Sequence, residues 1–186
     1  MKFINRISQI FLFLFLFSIG LPYISTIGEI AYATTEATIV KDINNVELAT
    51  FYKNLISVGD TLYFSAKDWA NGYELWKSDG TESGTVMVKD IYSGSDGSYP
   101  SYLTAVGDTL YFNASDGVNG KELWKSDGTE SGTVMVKDIN NSGNSDPYYL
   151  TVLGDTFYFN ASDGTNGDEL WKSDGTESGT VMVKDI

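Results

Sequence analysis

An 18-residue string that occurs three times without a change constrains the fold of this chain more than any other feature. It reads Glu-Leu-Trp-Lys-Ser-Asp-Gly-Thr-Glu-Ser-Gly-Thr-Val-Met-Val-Lys-Asp-Ile and stands at residues 74–91, 122–139 and 169–186. The copies begin 48 and then 47 residues apart. A fixed period in this range is typical of propellers and solenoids, in which each unit stacks on its neighbours to bury its apolar faces.

Four short runs within the second repeat have the composition of β-strands. They are rich in Val, Leu, Tyr, Phe, Trp and Thr and cover residues 102–106, 109–115, 121–126 and 133–139. The turns between them carry hairpin signals, among them Gly107-Asp108, which suits a type II′ turn. We therefore expect four antiparallel strands in each repeat.

Apolar side chains project from both faces of these predicted strands. Leu123 and Trp124 are adjacent, and Val134, Met135 and Val136 are consecutive, so both sides of the sheet need burial. Blades packed face to face around an axis provide this burial. The predicted fold is an all-β β-propeller with four-stranded antiparallel blades of about 47–48 residues. A solenoid of stacked hairpins is the alternative.

The repeats also predict the organisation of the chain. Residues 38–43 match the final strand of each repeat, so one extra strand precedes three blades. Three blades are fewer than the four to eight that usually surround a channel, which predicts an incomplete ring. We expect either a truncated piece of a longer chain, which we favour, or several copies forming a homo-oligomer. The predicted segments are a signal peptide at 1–33, an N-terminal strand at 34–43 and blades at 44–91, 92–139 and 140–186.

The first 33 residues have the features of an export signal. Lys2 and Arg6 precede an almost wholly apolar run at residues 10–19, and Ala31-Tyr32-Ala33 has the small-x-small pattern of a cleavage site. We expect cleavage after Ala33, a secreted or cell-surface location and no stable membrane span after cleavage. An uncleaved anchor is the alternative, because no charge lies between Arg6 and Glu29.

Composition narrows the function classes. The formal net charge is −13 and the lysines are spread singly among carboxylates, so nucleic acid is an improbable partner. The chain has no Cys and no His, which removes disulfides, thiol chemistry and the commonest general base. Nearly every polar residue able to act in catalysis is copied in all units. We therefore predict that the chain is not an enzyme and assign no catalytic residue.

The repeated signature resembles that of the ELWxxDGT repeat proteins, a group of secreted bacterial and archaeal proteins thought to form β-propellers. The signature is Glu74-Leu75-Trp76-Lys77-Ser78-Asp79-Gly80-Thr81, with copies beginning at Glu122 and Glu169, and the resemblance covers nearly all of residues 36–186. It implies a propeller fold and an exported location. It implies no established activity, so no functional residue is carried over.

Candidate binding residues come from the second turn of each blade, which shares one face of the predicted propeller with the variable connections. Function usually lies on variable loops held by a rigid scaffold. The candidates are Asp68, Trp69, Asn71, Asp116, Asn119, Asp163 and Asn166.

Each group of candidates has a structural interpretation as well as a functional one. Trp69 stands where the other repeats have glycine, and it either stacks on a sugar or partner chain or covers the open side of the first blade. Tyrosines near the connections, Tyr92, Tyr99, Tyr148 and Tyr149, pack between blades or contact a ligand. The Asp-x-x-Asn pairs either hold calcium through their oxygens or cap their own turns. We favour capping and expect no cofactor, with calcium as the one ion that the pattern suits.

The predicted function is therefore binding of an extracellular protein or glycan, or adhesion, with repetition giving avidity. The alternatives are structural spacer repeats, or the propeller portion of a larger extracellular enzyme.

Overall fold

The computed structural model describes residues 39–43 and 53–185. The described residues from 40 onward belong to one compact unit. The predicted signal peptide at 1–33 with its cleavage after Ala33 lies outside the described residues, as do the first connection at 44–52 and Ile186.

Twelve strands form three antiparallel sheets in the described residues, and these residues contain no helix. Sheet 1 contains β1 Lys53–Val58, β2 Thr61–Asp68, β3 Gly72–Ser78 and β4 Val86–Lys89. Sheet 2 contains β5 Ser101–Val106, β6 Thr109–Ser115, β7 Lys121–Ser126 and β8 Val134–Lys137. Sheet 3 contains β9 Tyr148–Leu153, β10 Thr156–Ser162, β11 Asp168–Ser173 and β12 Val181–Lys184.

Each sheet is a meander in which strands follow one another in chain order. The all-β, four-stranded antiparallel part of the prediction is confirmed. Gly107 begins its hairpin turn with a φ of +57°, as a type II′ turn requires. The three sheets are not closed into a ring, so the propeller stays a prediction.

One apolar cluster joins sheet 1 to sheet 2. Sheet 1 contributes side chains from β2, β3 and the end of the repeated string, which are Tyr63, Leu75, Val88 and Ile91. Sheet 2 contributes the opposite set, which is Leu110, Phe112, Ala114 and Trp124. We call the first set the back face of a sheet and the second set its front face.

The same packing joins sheet 2 to sheet 3 through equivalent residues. The back face of sheet 2 is Tyr111, Leu123, Val136 and Ile139, and the front face of sheet 3 is Phe157, Phe159, Ala161 and Trp171. Adjacent residues Leu123 and Trp124 thus lie in different clusters on opposite sides of sheet 2. This confirms that both faces of that sheet are buried.

Lysines of the repeated string reinforce each junction. Lys77 Nζ donates a hydrogen bond to the Gly128 carbonyl at 2.7 Å, and Lys89 Nζ donates to the Thr133 carbonyl at 2.9 Å. Lys125 and Lys137 repeat these bonds to Gly175 and Thr180 of sheet 3. Sheets 1 and 2 each therefore place two ammonium groups against the Asp-Gly-Thr-Glu-Ser-Gly-Thr turn of the next sheet.

Gly128 has no room for a side chain because the preceding sheet packs directly on it. A Cβ atom there would lie 2.3 Å from the hydroxyl oxygen of Tyr63, and the residue has a φ of +86°. Both constraints require glycine. The tyrosine of the back face therefore fits against the turn that also accepts the lysine.

Residues 39–43, the described part of the expected strand at 34–43, belong to no strand. In the repeats the corresponding residues pair with the third strand of their own sheet, and no described strand precedes this segment to offer such pairing. Its contacts with sheet 1 nevertheless match those of a preceding repeat. Lys41 Nζ donates to the Thr85 carbonyl at 2.8 Å, and Ile43 packs on the front-face cluster of Phe64, Ala66 and Trp76.

Two leucines at equivalent positions of sheets 2 and 3, which differ in burial, test this packing. Leu123 is fully buried between sheets, whereas Leu170 at the equivalent position of sheet 3 is 36% exposed. We expect Leu123→Ala to lower the free energy of unfolding by about 2–5 kcal/mol, and Leu170→Ala by about 1 kcal/mol. Urea unfolding followed by tryptophan fluorescence, at a concentration where the chain is monomeric, measures both. Equal losses would contradict the stacking order.

Candidate functional site

The meander separates two kinds of turn. Because strands alternate in direction, the β1–β2 and β3–β4 turns lie at one end of sheet 1, and the β2–β3 turn and the connection to sheet 2 lie at the other end. The first end carries the repeated turns in every sheet, and we call it the constant end. The second carries the sequences that differ between sheets, and we call it the variable end.

The turns at the constant end satisfy their own polar groups. Asp127 accepts hydrogen bonds from the Thr129 hydroxyl at 2.7 Å and from the Thr129 amide at 2.8 Å. These bonds hold the pKa of Asp127 below its usual range. Thr129 in turn accepts a bond from the Gly132 amide at 2.9 Å. The same network recurs in sheets 1 and 3, which assigns these residues a structural role.

The glutamate of the signature anchors the connection to the next sheet. Glu122 is fully buried and accepts hydrogen bonds from the Ile139 amide at 2.8 Å, the Ser145 amide at 2.9 Å and the Ser145 hydroxyl at 2.6 Å. Burial raises the pKa of Glu122 to about 7, although the bonds from Ser145 and Ile139 oppose the rise. Glu74 makes the equivalent contacts with Ile91 and Ser98, and burial likewise raises its pKa to about 7.

These two carboxyls predict a pH dependence of stability. Their pKa is raised in the folded state from about 4.5, so they favour folding fully below pH 4.5 and lose that contribution as the pH rises through about 7. We expect the free energy of unfolding to fall across this window. Glu122→Gln removes one of the two contributions and flattens the profile, whereas the exposed Glu130→Gln leaves its shape unchanged. Urea unfolding at a series of pH values measures this dependence. A Glu122→Gln profile as steep as that of the natural chain would contradict the raised pKa of Glu122.

The Asp-x-x-Asn candidates cap their own turns. Asp116 accepts bonds from the amides of Val118 at 2.9 Å and Asn119 at 2.8 Å, and from the Asn119 side chain at 2.7 Å. Burial opposes the effect, but the bonds from Asn119 and Val118 lower the pKa of Asp116. The pairs Asp68–Asn71 and Asp163–Asn166 repeat this geometry. The three pairs are not brought together, since each stays within its own turn.

No group of three or more acidic or histidine side chains able to hold a metal ion occurs among residues 39–43 and 53–185. The carboxylate oxygens of the three capping aspartates are in use within their turns. Calcium at these turns remains a prediction that a titration can test.

Trp69 differs from the other candidates because its ring is exposed. The side chain is 59% exposed, and Lys67 Nζ lies 5.8 Å from the centre of its ring. Lys67 Nζ also lies 5.9 Å from the centre of the Tyr73 ring, and the Tyr73 and Tyr99 ring centres are 5.4 Å apart; we call these four residues the Trp69 patch. The exposed ring favours the contact role of Trp69 over the covering role.

The glycines that replace Trp69 in the other sheets lie under neighbouring side chains. Gly117 has a φ of +80°, and a Cβ atom there would lie 2.5 Å from the Tyr92 ring. A tryptophan at that position of sheet 2 would therefore clash. In sheet 1 the residue equivalent to Tyr92 is Asn44, which lies outside the described residues.

A cleft of about 490 Å³ opens at the variable end where the first strands of the sheets begin. We call it the tyrosine cleft, and it is lined by Asn54, Ser101, Tyr102, Asn113, Lys121, Asp146 and Tyr148. Sequence reasoning had singled out Tyr148 only as one of several tyrosines near the connections, and it missed the rest. The sequence did contain a signal for this cleft. The second residue of the first strand differs between sheets, although the leucine after it does not change. These second residues are Asn54, Tyr102 and Tyr149.

These three variable residues have left-handed backbone conformations. The φ angles are +58° at Asn54, +55° at Tyr102 and +57° at Tyr149, at equivalent positions of β1, β5 and β9. Irregular strand pairing accompanies them, as between Ser101 and Thr104 of β5. Such a conformation costs a non-glycine residue about 1–2 kcal/mol. Backbone strain of this kind is concentrated at functional sites in proteins.

The tyrosines around the cleft form an ordered aromatic surface. Tyr148 and Tyr149 meet edge to face with ring centres 4.8 Å apart, and Tyr102 lies 6.2 Å from each of them. Tyr149 nevertheless remains 71% exposed and Tyr102 45% exposed. The rings thus hold one another in place while they present apolar area to solvent.

Asn113 lines the same cleft and has one buried polar atom without a partner. The side chain is buried, and its Nδ2 donates to the Pro147 carbonyl at 3.2 Å. Its Oδ1 has no hydrogen-bond partner among the described residues. Exchanging the two amide atoms would bring two oxygens together, so the oxygen is the unpaired atom. A buried unpaired acceptor costs about 1–3 kcal/mol and is suited to a ligand that brings a donor.

The strain at Tyr149 predicts an unusual order of stability. Glycine relieves the left-handed strain and alanine does not, so we expect Tyr149→Gly to be more stable than Tyr149→Ala by about 1 kcal/mol. Tyr148 lies in the adjacent strand position with ordinary backbone geometry, and there we expect alanine to be the more stable. Urea unfolding of the four variants measures both differences. Alanine being the more stable residue at both positions would show that Tyr149 is not strained.

A scan against models of protein families found no match, and a search of curated proteins found no significant similarity. Within the part of the chain that the structure describes, no helix has the length and apolar character needed to cross a membrane.

Proposed function

We propose that the chain is an exported, non-enzymatic β-propeller repeat protein of the ELWxxDGT kind that binds a neutral glycan in the tyrosine cleft. The observation that carries the glycan proposal is the unpaired, buried Oδ1 of Asn113 in a cleft lined by Tyr102 and Tyr148.

The sheet arrangement supports the propeller. The three sheets pack through equivalent faces, and the first strands of neighbouring sheets contact each other, β1 with β5 and β5 with β9. Innermost strands meet in this way around a propeller axis. A solenoid of hairpins remains the alternative architecture.

The cleft chemistry supports a sugar. A pyranose offers an apolar face for stacking on tyrosine and hydroxyl groups that donate to Oδ1 of Asn113. The exposed pair of Lys121 Nζ and Asp146 Oδ1, 3.9 Å apart, offers further hydrogen-bonding groups at the rim. With a net charge of −13 the chain repels anionic polymers, so a neutral glycan is favoured.

The lining also supports binding without hydrolysis. Its one carboxylate is that of Asp146, whereas glycoside hydrolysis ordinarily uses two. The cleft draws residues from all three sheets, and Ser65 takes the place of Asn113 in sheet 1. The arrangement therefore favours a single site over several equivalent ones, in contrast to the avidity expected from repetition.

A glycan array probed with the exported chain tests the proposal. We expect binding to a neutral oligosaccharide that falls about tenfold in Asn113→Ser, the loss of one hydrogen bond. Tyr102→Ala should have a similar effect through lost stacking. Glu177→Ala at the constant end is the matched control and should bind normally.

The other outcomes identify the alternatives. Glycan binding that survives Asn113→Ser and Tyr102→Ala but is lost in Trp69→Ala would move the site to the Trp69 patch. Binding to proteins alone on a parallel protein array would replace the glycan as partner. Absence of binding on both the glycan array and the protein array would favour a structural spacer.

A further inference from the structure

The Trp69 patch and the rim of the tyrosine cleft occupy equivalent places in successive sheets. Tyr73 and Tyr99 of the patch have ring centres 5.4 Å apart. Their positions in the repeat are those of Lys121 and Asp146 in the next sheet. Lys121 and Asp146 form the exposed ion pair that lines the cleft. The aromatic pair therefore lies at the variable end, as the cleft does, one sheet earlier.

A short segment of chain joins the patch to the cleft. Tyr99 of the patch and Tyr102 of the cleft are three residues apart, so their Cα atoms are separated by at most about 11 Å. Between them Pro100 is buried and Ser101 already belongs to the cleft lining. The two surfaces are therefore neighbours, and one ligand of moderate length can reach both.

Backbone strain marks both surfaces. In the described part of the chain, every non-glycine residue with a positive φ belongs to the patch, to the cleft lining or to the ring that packs on the cleft tyrosines. These residues are Asn54, Tyr99, Tyr102, Asp146 and Tyr149. Tyr99 and Asp146 also precede prolines, and a residue in that position ordinarily has an extended backbone. Because such strain is concentrated at functional sites, Tyr99 is grouped with the cleft residues.

The rings of the patch are exposed and held in place. Trp69 is exposed, and Tyr99 is 54% exposed. Lys67 Nζ lies 5.8 Å from the centre of the Trp69 ring and 5.9 Å from that of the Tyr73 ring, so one ammonium group attracts both rings. Exposed aromatic rings that are fixed in this way are suited to stacking on the apolar face of a sugar.

We propose that the tyrosine cleft and the Trp69 patch bind one neutral oligosaccharide chain, with one sugar unit in the cleft and a later unit stacked on Trp69 and Tyr99. The proposal rests on the glycan function of the cleft and narrows the ligand to an oligosaccharide of several units. A chain that reaches both surfaces binds more tightly than a short one, because its second contact is intramolecular. Lys67 is a positioning residue, since it acts through the rings of the patch.

Tryptophan fluorescence tests the proposal directly, because Trp69 is the exposed one of four tryptophans and the other three are 6–7% exposed. The full chain, expressed with its own N-terminal segment in an exporting host, is titrated with gluco-, manno- and N-acetylglucosamine oligosaccharides. Each sugar is supplied as a disaccharide and as a hexasaccharide. Calorimetry measures the affinity, and acrylamide quenching measures the exposure of Trp69. We expect the hexasaccharide of the recognised sugar to bind about tenfold more tightly than its disaccharide, and it alone should protect Trp69 from quenching.

Variants separate the two contacts. Trp69→Ala should reduce the affinity for the hexasaccharide to that for the disaccharide and leave the disaccharide affinity unchanged, whereas Trp69→Phe should keep part of the gain. Tyr102→Ala should weaken binding of both lengths, because both use the cleft. Val118→Ala is the matched control, since Val118 is 85% exposed in the corresponding turn of sheet 2, and it should change neither affinity. Equal urea midpoints for Trp69→Ala and the natural chain exclude a folding defect.

The other outcomes distinguish failure of the extended site from failure of the glycan function. Equal affinity for both lengths, with Trp69 still open to quenching, would overturn the extended site and leave glycan binding in the cleft intact. Loss of both lengths in Trp69→Ala, with normal binding in Tyr102→Ala, would show that the patch alone binds the glycan and would also overturn the extended site. Absence of binding to every oligosaccharide would overturn both proposals.

Discussion

The need to bury both faces of sheets 1 and 2 governs the rest of this structure. A four-stranded sheet with Leu123 on one side and Trp124 on the other is not stable with either side in water. Stacking meets this need only if the back of one sheet fits the front of the next. Both junctions use the same contact between a back face and a front face, which explains why one string of residues recurs unchanged.

The repeated string carries three separate duties in this packing. Its leucine, its second valine and its isoleucine belong to the back face, while its tryptophan belongs to the front face of the same sheet. Its lysines bind the next turn, and its glutamate holds the connection at a buried carboxylate. A change at any of these positions would disturb a junction between sheets as well as the sheet that contains it.

At the variable end only the glutamate of the string has such a role, and this end has room for a ligand. Strained residues at the start of the first strands turn their side chains out of the regular pleat, and they differ between sheets where the string does not. Tyr102, Tyr148 and Asn113 line the cleft in which we place the glycan, and Tyr149 packs against both tyrosines. A rigid stack of sheets supports this strained surface, which would not be stable by itself.

The sequence by itself determined the strands, the four-stranded meander and the burial of both sheet faces, because these follow from alternation, turn residues and an exact repeat. It also indicated that the Asp-x-x-Asn pairs cap turns, since such pairs bond within a few residues. Only the tertiary structure decided which sheet face meets which and that Lys77 reaches a carbonyl 51 residues away. It also decided that Oδ1 of Asn113 has no hydrogen-bond partner among the described residues. These depend on groups brought together from distant repeats, and local pattern carries no information about such distances.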